Sequence, residues 1–216
     1  MVAAKSFVAA AFFGLLFTAT ALGDAPTVRF TNADQAKAQA ALLKRVDLGA
    51  GWAGGPIKAS ALTAPDCPGF SPKESDLTVT GHADALFTFK EAGVELDQDV
   101  EVLSSDDAVM KDFARTISPQ LGRCIGYQLG KTANVLDVSV ARVAFPKTGA
   151  VSAVYRAELS VRTPKGQGKL LSDYVFFGEG RVEYEFTVIA PVGARYQLGR
   201  FELGLAKILL RRAGGS

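Results

Sequence analysis

Histidine is almost absent from this chain: His82 is the only one among 216 residues. A single imidazole excludes any mechanism that needs two, and with it metal sites of the H-E-x-x-H type. Cysteine is nearly as scarce. Cys67 and Cys124 are the full complement, and neither belongs to a C-x-x-C pair, so nothing supports a dithiol redox catalyst. No G-x-S-x-G elbow offers a serine nucleophile. The glycines around Trp52 fit neither G-x-x-x-x-G-K-[ST] nor G-x-G-x-x-G after a strand, which removes the usual phosphate cradles. Neither Asn32 nor Asn134 opens an N-x-S/T sequon. Charge of one sign is lacking too, with 24 basic residues against 22 acidic. That balance disfavours a nucleic-acid partner.

A membrane-spanning apolar run is also missing. Phe7 to Phe17 is apolar for about 11 residues, which suits the core of a signal peptide and falls short of the roughly 20 needed to span a bilayer. Lys5 precedes it. Ala19-Thr20-Ala21 and Ala21-Leu22-Gly23 follow as small-residue cleavage patterns, so residues 1–23 read as a signal peptide cut between Ala21 and Asp24. A signal anchor or a buried helix is the alternative, against which Gly14, Thr18 and Thr20 interrupt the run. No cysteine follows to accept a lipid, and Arg211 to Ser216 carries no hydrophobic tail. The expectation is a secreted or extracytoplasmic protein of the cell envelope, with no membrane anchor in its mature form. Residues 24–216 then make one domain of about 190 residues, enough to bury its own core. Both cysteines reach an oxidising compartment, and a Cys67–Cys124 disulfide is expected in preference to two buried thiols.

What is present is pattern. Thr31 or Asn32 caps a helix predicted to run to about Val46. A turn-rich stretch from Gly54 to Gly69 reads as loop, with a short strand near Trp52. From Leu77 to Phe89 the odd positions are mostly apolar and the even ones mostly polar, a half-buried strand, and Val94, Leu96, Val100 and Val102 mark its hairpin partner across a Glu91-Ala92-Gly93 turn. Ser104 and Ser105 ahead of Asp106-Asp107, and Ser118-Pro119, start two helices. Four strands follow near Val135 to Phe145, Val151 to Arg162, Leu170 to Phe177 and Arg181 to Ile189, and a helix from Tyr196 to Arg212 closes the chain. Apolar residues on both parities of the first and third of these four strands imply burial on both faces. The fold class is α+β: an antiparallel sheet of about six strands flanked by helices on both faces, in the order α-β-β-α-α-β-β-β-β-α.

Few residues suggest chemistry. His82 and Asp84 share one strand face, where a carboxylate can orient an imidazole toward a serine or water; the plain alternative is a solvated histidine on a polar face. Lys147-Thr148-Gly149 matches one element of penicillin-binding proteins without its S-x-x-K or S-D-N companions, and reads as a hairpin turn. Glu95, Asp97, Asp99 and Glu101 form an acidic stripe on one side of a strand. It suits a basic partner or a loosely held calcium ion, or else a solvated edge paired to Arg156 or Arg162. Trp52, between a helix and a turn-rich loop, anchors a ligand or plugs the core.

Asp47-Leu48 leading to Gly51-Trp52, Asp66-Cys67-Pro68-Gly69-Phe70, and Arg123-Cys124 in the second of two adjacent helices resemble secreted actinobacterial proteins similar to the extracellular sensor domain of certain transmembrane serine/threonine kinases. The likeness covers roughly Ala33 to Arg212 in element order. It implies an antiparallel sheet flanked by helices, a disulfide from loop to helix, a cleft for an unidentified ligand and no catalytic residue. The chain departs from the kinase sensor in having one cysteine pair where that domain has two, and in lacking a kinase or membrane segment. A broader similarity to PsbP-like sandwiches concerns architecture alone.

The expectation is a non-catalytic binding or sensor-like module for an unidentified small molecule or cell-envelope component, with Trp52, His82 and Asp84 as candidate ligand contacts. No cofactor and no metal are assigned. A hydrolase using His82 and Asp84, and a surface protein that binds basic partners through the acidic stripe, are the alternatives.

Overall fold

A computed structural model describes residues 24–63 and 66–213; the signal-peptide reading of residues 1–23 lies outside them. The long hairpin forms as its alternation demands: β3 (Thr78–Phe89) pairs antiparallel with β4 (Val94–Leu103), and Gly93 takes the left-handed conformation in the turn, φ 63°. Later in the chain β5 (Val135–Val143), β6 (Val151–Thr163), β7 (Gly166–Glu179) and β8 (Val182–Pro191) run as an antiparallel meander. β8 then docks on β4 and joins both units into one sheet.

Two further strands correct the expected count of six, the second of them at the place near Trp52 where a short strand was expected. β1 (Thr27–Val28) pairs parallel with Thr78 and Val79, and β2 (Ala53–Ile57) pairs antiparallel with Asp84 to Thr88, so the two share the outer edge of β3. The result is a mixed sheet of eight strands, ordered β1-β3-β4-β8-β7-β6-β5, with β2 beside β1 on the β3 edge. Neither addition carries a hydrophobic alternation. β1 is two residues long, and β2 is Ala-Gly-Gly-Pro-Ile, a composition that reads as turn.

Helices cover both faces. On the first, α1 (Asn32–Ala41) and α5 (Arg195–Ala213) lie over a core that includes Phe87, Leu96, Val100, Phe177, Phe186 and Leu209. Thr31 caps α1 through a hydrogen bond from the Asp34 N–H, 3.0 Å. This helix stops before Val46 for a tertiary reason: the Leu43 N–H donates to Gln98 Oε1 on β4 at 2.8 Å, and Leu42 and Leu43 turn fully into the core. A single turn, α2 (Arg45–Leu48), follows, and at its start the Lys44 N–H donates to Asp47 Oδ2 at 2.6 Å. Trp52 plugs this core, its ring 5.7 Å from those of Phe89 and Phe201.

On the second face α3 (Asp106–Thr116) and α4 (Pro119–Gly130) pack over the β5 to β8 side, burying Leu121, Ile125, Leu129 and Tyr155. Cys124 on α4 is bonded to Cys67, with a Cα separation of 5.5 Å. β5 is not buried on both faces, contrary to its apolar parity: it is the outer strand, α4 covers one side, and most of its residues are exposed or half-buried. The Lys147-Thr148-Gly149 triplet lies in the turn between β5 and β6, where Thr148 bonds Pro146 and Ser152.

Beneath α5 lies a buried ion cluster. Arg156 on β6 pairs with Asp173 on β7, which has no exposed surface, and Glu202 of α5 sits beside them at 1% exposure. Burial and the neighbouring Asp173 push the Glu202 carboxyl up to about 9. A carboxyl raised this way retains its proton when folded and loses it when unfolded, so it costs stability as pH climbs from about 4.5 toward 9. Glu202→Gln, which keeps an N–H donor toward Asp173, is expected to stabilise the protein by about 2 kcal/mol at pH 8 and leave it unchanged at pH 4, measured by urea unfolding at both values. For the disulfide, an intact mass two hydrogens below the dithiol is expected, and Cys124→Ala should lower stability by about 2–4 kcal/mol.

Candidate functional site

Strand alternation assembles the polar cluster of the second face. On β3 the even residues His82 and Asp84 point there; on β4 the odd residues Glu95, Asp97, Asp99 and Glu101 do; on β8 Glu183 and Glu185 join them. In the ladder Asp99 stands between Asp84 and Glu185, and Glu101 stands between His82 and Glu183. Seven carboxylates thus share one patch of three adjacent strands. Like charges directly opposite one another repel.

β4 is an inner strand, so the stripe is not the solvated edge that the sequence suggested, and no arginine pairs with it. Arg156 is engaged by Asp173 on the other face, and among the described residues neither Lys nor Arg forms an ion pair with any of the seven. His82 is not solvated either. At 3% exposure its Nε2 lies 2.9 Å from Asp99 Oδ2, in a hydrogen bond, and 2.9 Å from Asp84 Oδ1. Burial by itself drives an imidazolium toward its neutral form; the two carboxylates outweigh it and lift His82 to about 10.

The surrounding backbone fixes this triad. The His82 N–H donates to Gln35 Oε1 of α1 at 2.6 Å, beside Gly81, where any Cβ would meet the Asp34 carbonyl at 2.2 Å. Only glycine lets α1 approach β3 so closely. Asp84 is 6% exposed, and its Oδ2 accepts the Ser60 N–H at 2.7 Å. Ser60 belongs to the loop between β2 and β3. That loop is tied to α4 by the disulfide and to α3 by Asp76, which receives Lys111 and Arg115 at 2.6 Å. Despite burial, the positive charge of His82 close by and the Ser60 N–H hold the Asp84 carboxyl below its ordinary value.

Asp99 and the acids around the triad behave in the opposite way: burial raises the Asp99 carboxyl although His82 draws it down. Burial, then Asp99, raises Glu101; burial, then Asp112 of α3 and Glu101, raises Glu183; burial, then Asp112 and Asp24, pushes Glu74 up to about 8. Glu183 also has a buried Oε1 with no hydrogen-bond partner.

Of the three expected ligand contacts, the structure brings His82 and Asp84 together and adds Asp99 from the stripe. Trp52 is in the core on the other side of the sheet. Sequence reasoning missed Glu183, Glu185, Asp112 and Glu74. Glu183 and Glu185 do alternate with Val182, Tyr184 and Phe186, but nothing in one chain says that β8 lies against β4. Two surface grooves lie elsewhere, one along β2 by Leu86 and Thr88, the other between α4 and β5 by Arg123, Val140 and Arg142.

No protein-family model matches this chain, no curated protein matches its sequence, and no solved structure matches its fold.

Two substitutions of opposite sign test the electrostatics. His82→Ala removes the only cation between two carboxylates and should lower stability by about 3–5 kcal/mol at pH 7. Glu183→Gln relieves a like-charge contact and should raise the melting temperature at pH 8 by roughly 2–4 °C, with little change at pH 4, by scanning calorimetry.

Proposed function

We propose that the protein is an exported, non-catalytic binding module that captures a cationic ligand on the acidic face of β3, β4 and β8. One observation carries this reading: seven carboxylates from three adjacent strands converge there, with His82 as their only cationic partner among the described residues. Such a patch attracts positive charge and steers it inward. Export is supported by the amino-terminal sequence pattern and by the disulfide, a bond that persists in oxidising compartments. No helix among the described residues is long and apolar enough to cross a membrane. The resemblance to kinase sensor domains points the same way, toward binding.

Hydrolysis through His82 and Asp84 fits less well. A general base needs a free lone pair near neutral pH, and the imidazole of His82 is held protonated between two carboxylates. The nearby Ser60 directs its N–H to Asp84.

A lysine-rich peptide is a suitable probe, titrated calorimetrically into tag-free protein. Binding is expected to weaken at least about tenfold between roughly 50 and 300 mM salt, and the Asp97→Asn, Glu185→Gln double variant should bind about fivefold more weakly. Absent or salt-independent binding would overturn the reading, as would a double variant that binds like the wild type.

A further inference from the structure

We propose that His82, Asp84 and Asp99 form a site for one divalent metal ion of the zinc class. The proposal rests on the reading of this face as the ligand surface and names the ligand held at its deepest point.

Distance is the first argument. The imidazole Nε2 and one oxygen of each carboxylate all lie within 4.8 Å of one another, and both N···O contacts are 2.9 Å. Zinc bonded to nitrogen and oxygen at about 2.0–2.1 Å holds its ligand atoms roughly 3.3 Å apart. Opening each contact by about 0.4 Å is therefore sufficient to admit the ion. Residues on two adjacent, fully paired strands hold the three ligands, so the cluster is preorganised.

The second argument is a shortage of protons. Nε2 carries one hydrogen, and its bond goes to Asp99 Oδ2. Asp84 Oδ1, equally near, is left buried with no hydrogen bond, in a side chain that is more than nine-tenths buried. A buried carboxylate oxygen without a donor costs about 1–3 kcal/mol or more. One proton cannot satisfy both oxygens, whereas a metal ion bonds all three ligand atoms at once. The other oxygen of Asp84 is already committed to the Ser60 N–H, which turns Oδ1 toward the imidazole. Metal-binding carboxylates are commonly oriented by such outer hydrogen bonds.

Ligand chemistry narrows the ion. Imidazole nitrogen suits zinc and its first-row neighbours, whereas calcium and magnesium take oxygen ligands. Three protein ligands leave a position open toward the acidic patch, where Glu185 stands opposite Asp99. On binding, the imidazolium gives its Nε2 proton to solvent, the freed lone pair bonds the ion, and both carboxylates stay ionised. A net negative cluster becomes a neutral one.

His82 is the sole histidine, so its ring resonances in a nitrogen-15 NMR spectrum of tag-free protein need no assignment by mutation. Zn²⁺ at one equivalent is expected to shift the Nε2 resonance and raise the melting temperature by roughly 5 °C or more, while Ca²⁺ and Mg²⁺ leave the ring unchanged. Asp84→Asn and Asp99→Asn should each weaken Zn²⁺ binding about 100-fold or more, and Glu95→Gln by less than about threefold. The wild-type spectrum decides the matter even if a variant fails to fold. Zn²⁺ binding with an unmoved imidazole resonance, or no Zn²⁺ binding, overturns the metal site. If the lysine-rich peptide still binds in that case, the cation-binding reading stands without it; if neither binds, both fall.

Discussion

Asp84 and Asp99 face each other directly across neighbouring strands, a position in which two carboxylates repel at a Cβ separation of about 5 Å. His82 makes this register tolerable. Its imidazolium lies between the two, and with it β3 and β4 can place polar residues of one parity on the second face while the opposite parity, Ala83, Ala85, Phe87, Leu96 and Val100, closes the main core. A one-residue slip would send the carboxylates into that core and the apolar side chains out. The ion triad and the apolar face thus specify the same register from opposite sides of the sheet, and β8, α1 and the loop that carries Ser60 are all placed by it.

The two faces neutralise buried acid differently. Under α5, Asp173 is matched by the guanidinium of Arg156, a permanent cation, and Glu202 stays protonated beside it. On the other face the only cation paired with the seven strand carboxylates, among the described residues, is an imidazolium, whose charge depends on a single proton, and the carboxyls of Glu101 and Glu183 are both raised. An acidic cluster that has no fixed cation has an energetic deficit that an external cation can make up. That asymmetry, more than the number of acids, separates the structural cluster from the binding one.

Much of this was legible in one chain. The β3–β4 hairpin, the caps at Thr31, Ser105 and Ser118-Pro119, the meander of four strands and the closing helix follow from period and turn chemistry, and the cysteine pair follows from scarcity and compartment. What could not be read was contact between elements distant in sequence. Gln98 looks like one more polar residue of β4, yet by capturing the Leu43 N–H it ends α1 early. His82 and Asp84 were visible as neighbours on a strand face, but Asp99 became the third member only through the hairpin register, and Glu183 and Glu185 only through the docking of β8. β2 showed only as a short strand near Trp52, because Gly-Gly-Pro is turn composition, and it pairs along the free edge of β3.

The loop between β2 and β3 connects the disulfide to the site. It begins at Ile57, which is paired to Asp84; it gives the Ser60 N–H to the Asp84 carboxylate, passes to α4 at Cys67, and returns past α3 through Asp76 before entering β3. The described residues between β2 and β3 contain no helix or named strand to hold them there. A loop of this length carries a large conformational entropy when unrestrained. The Cys67–Cys124 bond, with the Asp76 ion pairs, limits that freedom at the far end and so favours the short hydrogen bond at the near one. Ser60 in turn keeps one oxygen of Asp84 occupied and leaves the other turned to His82.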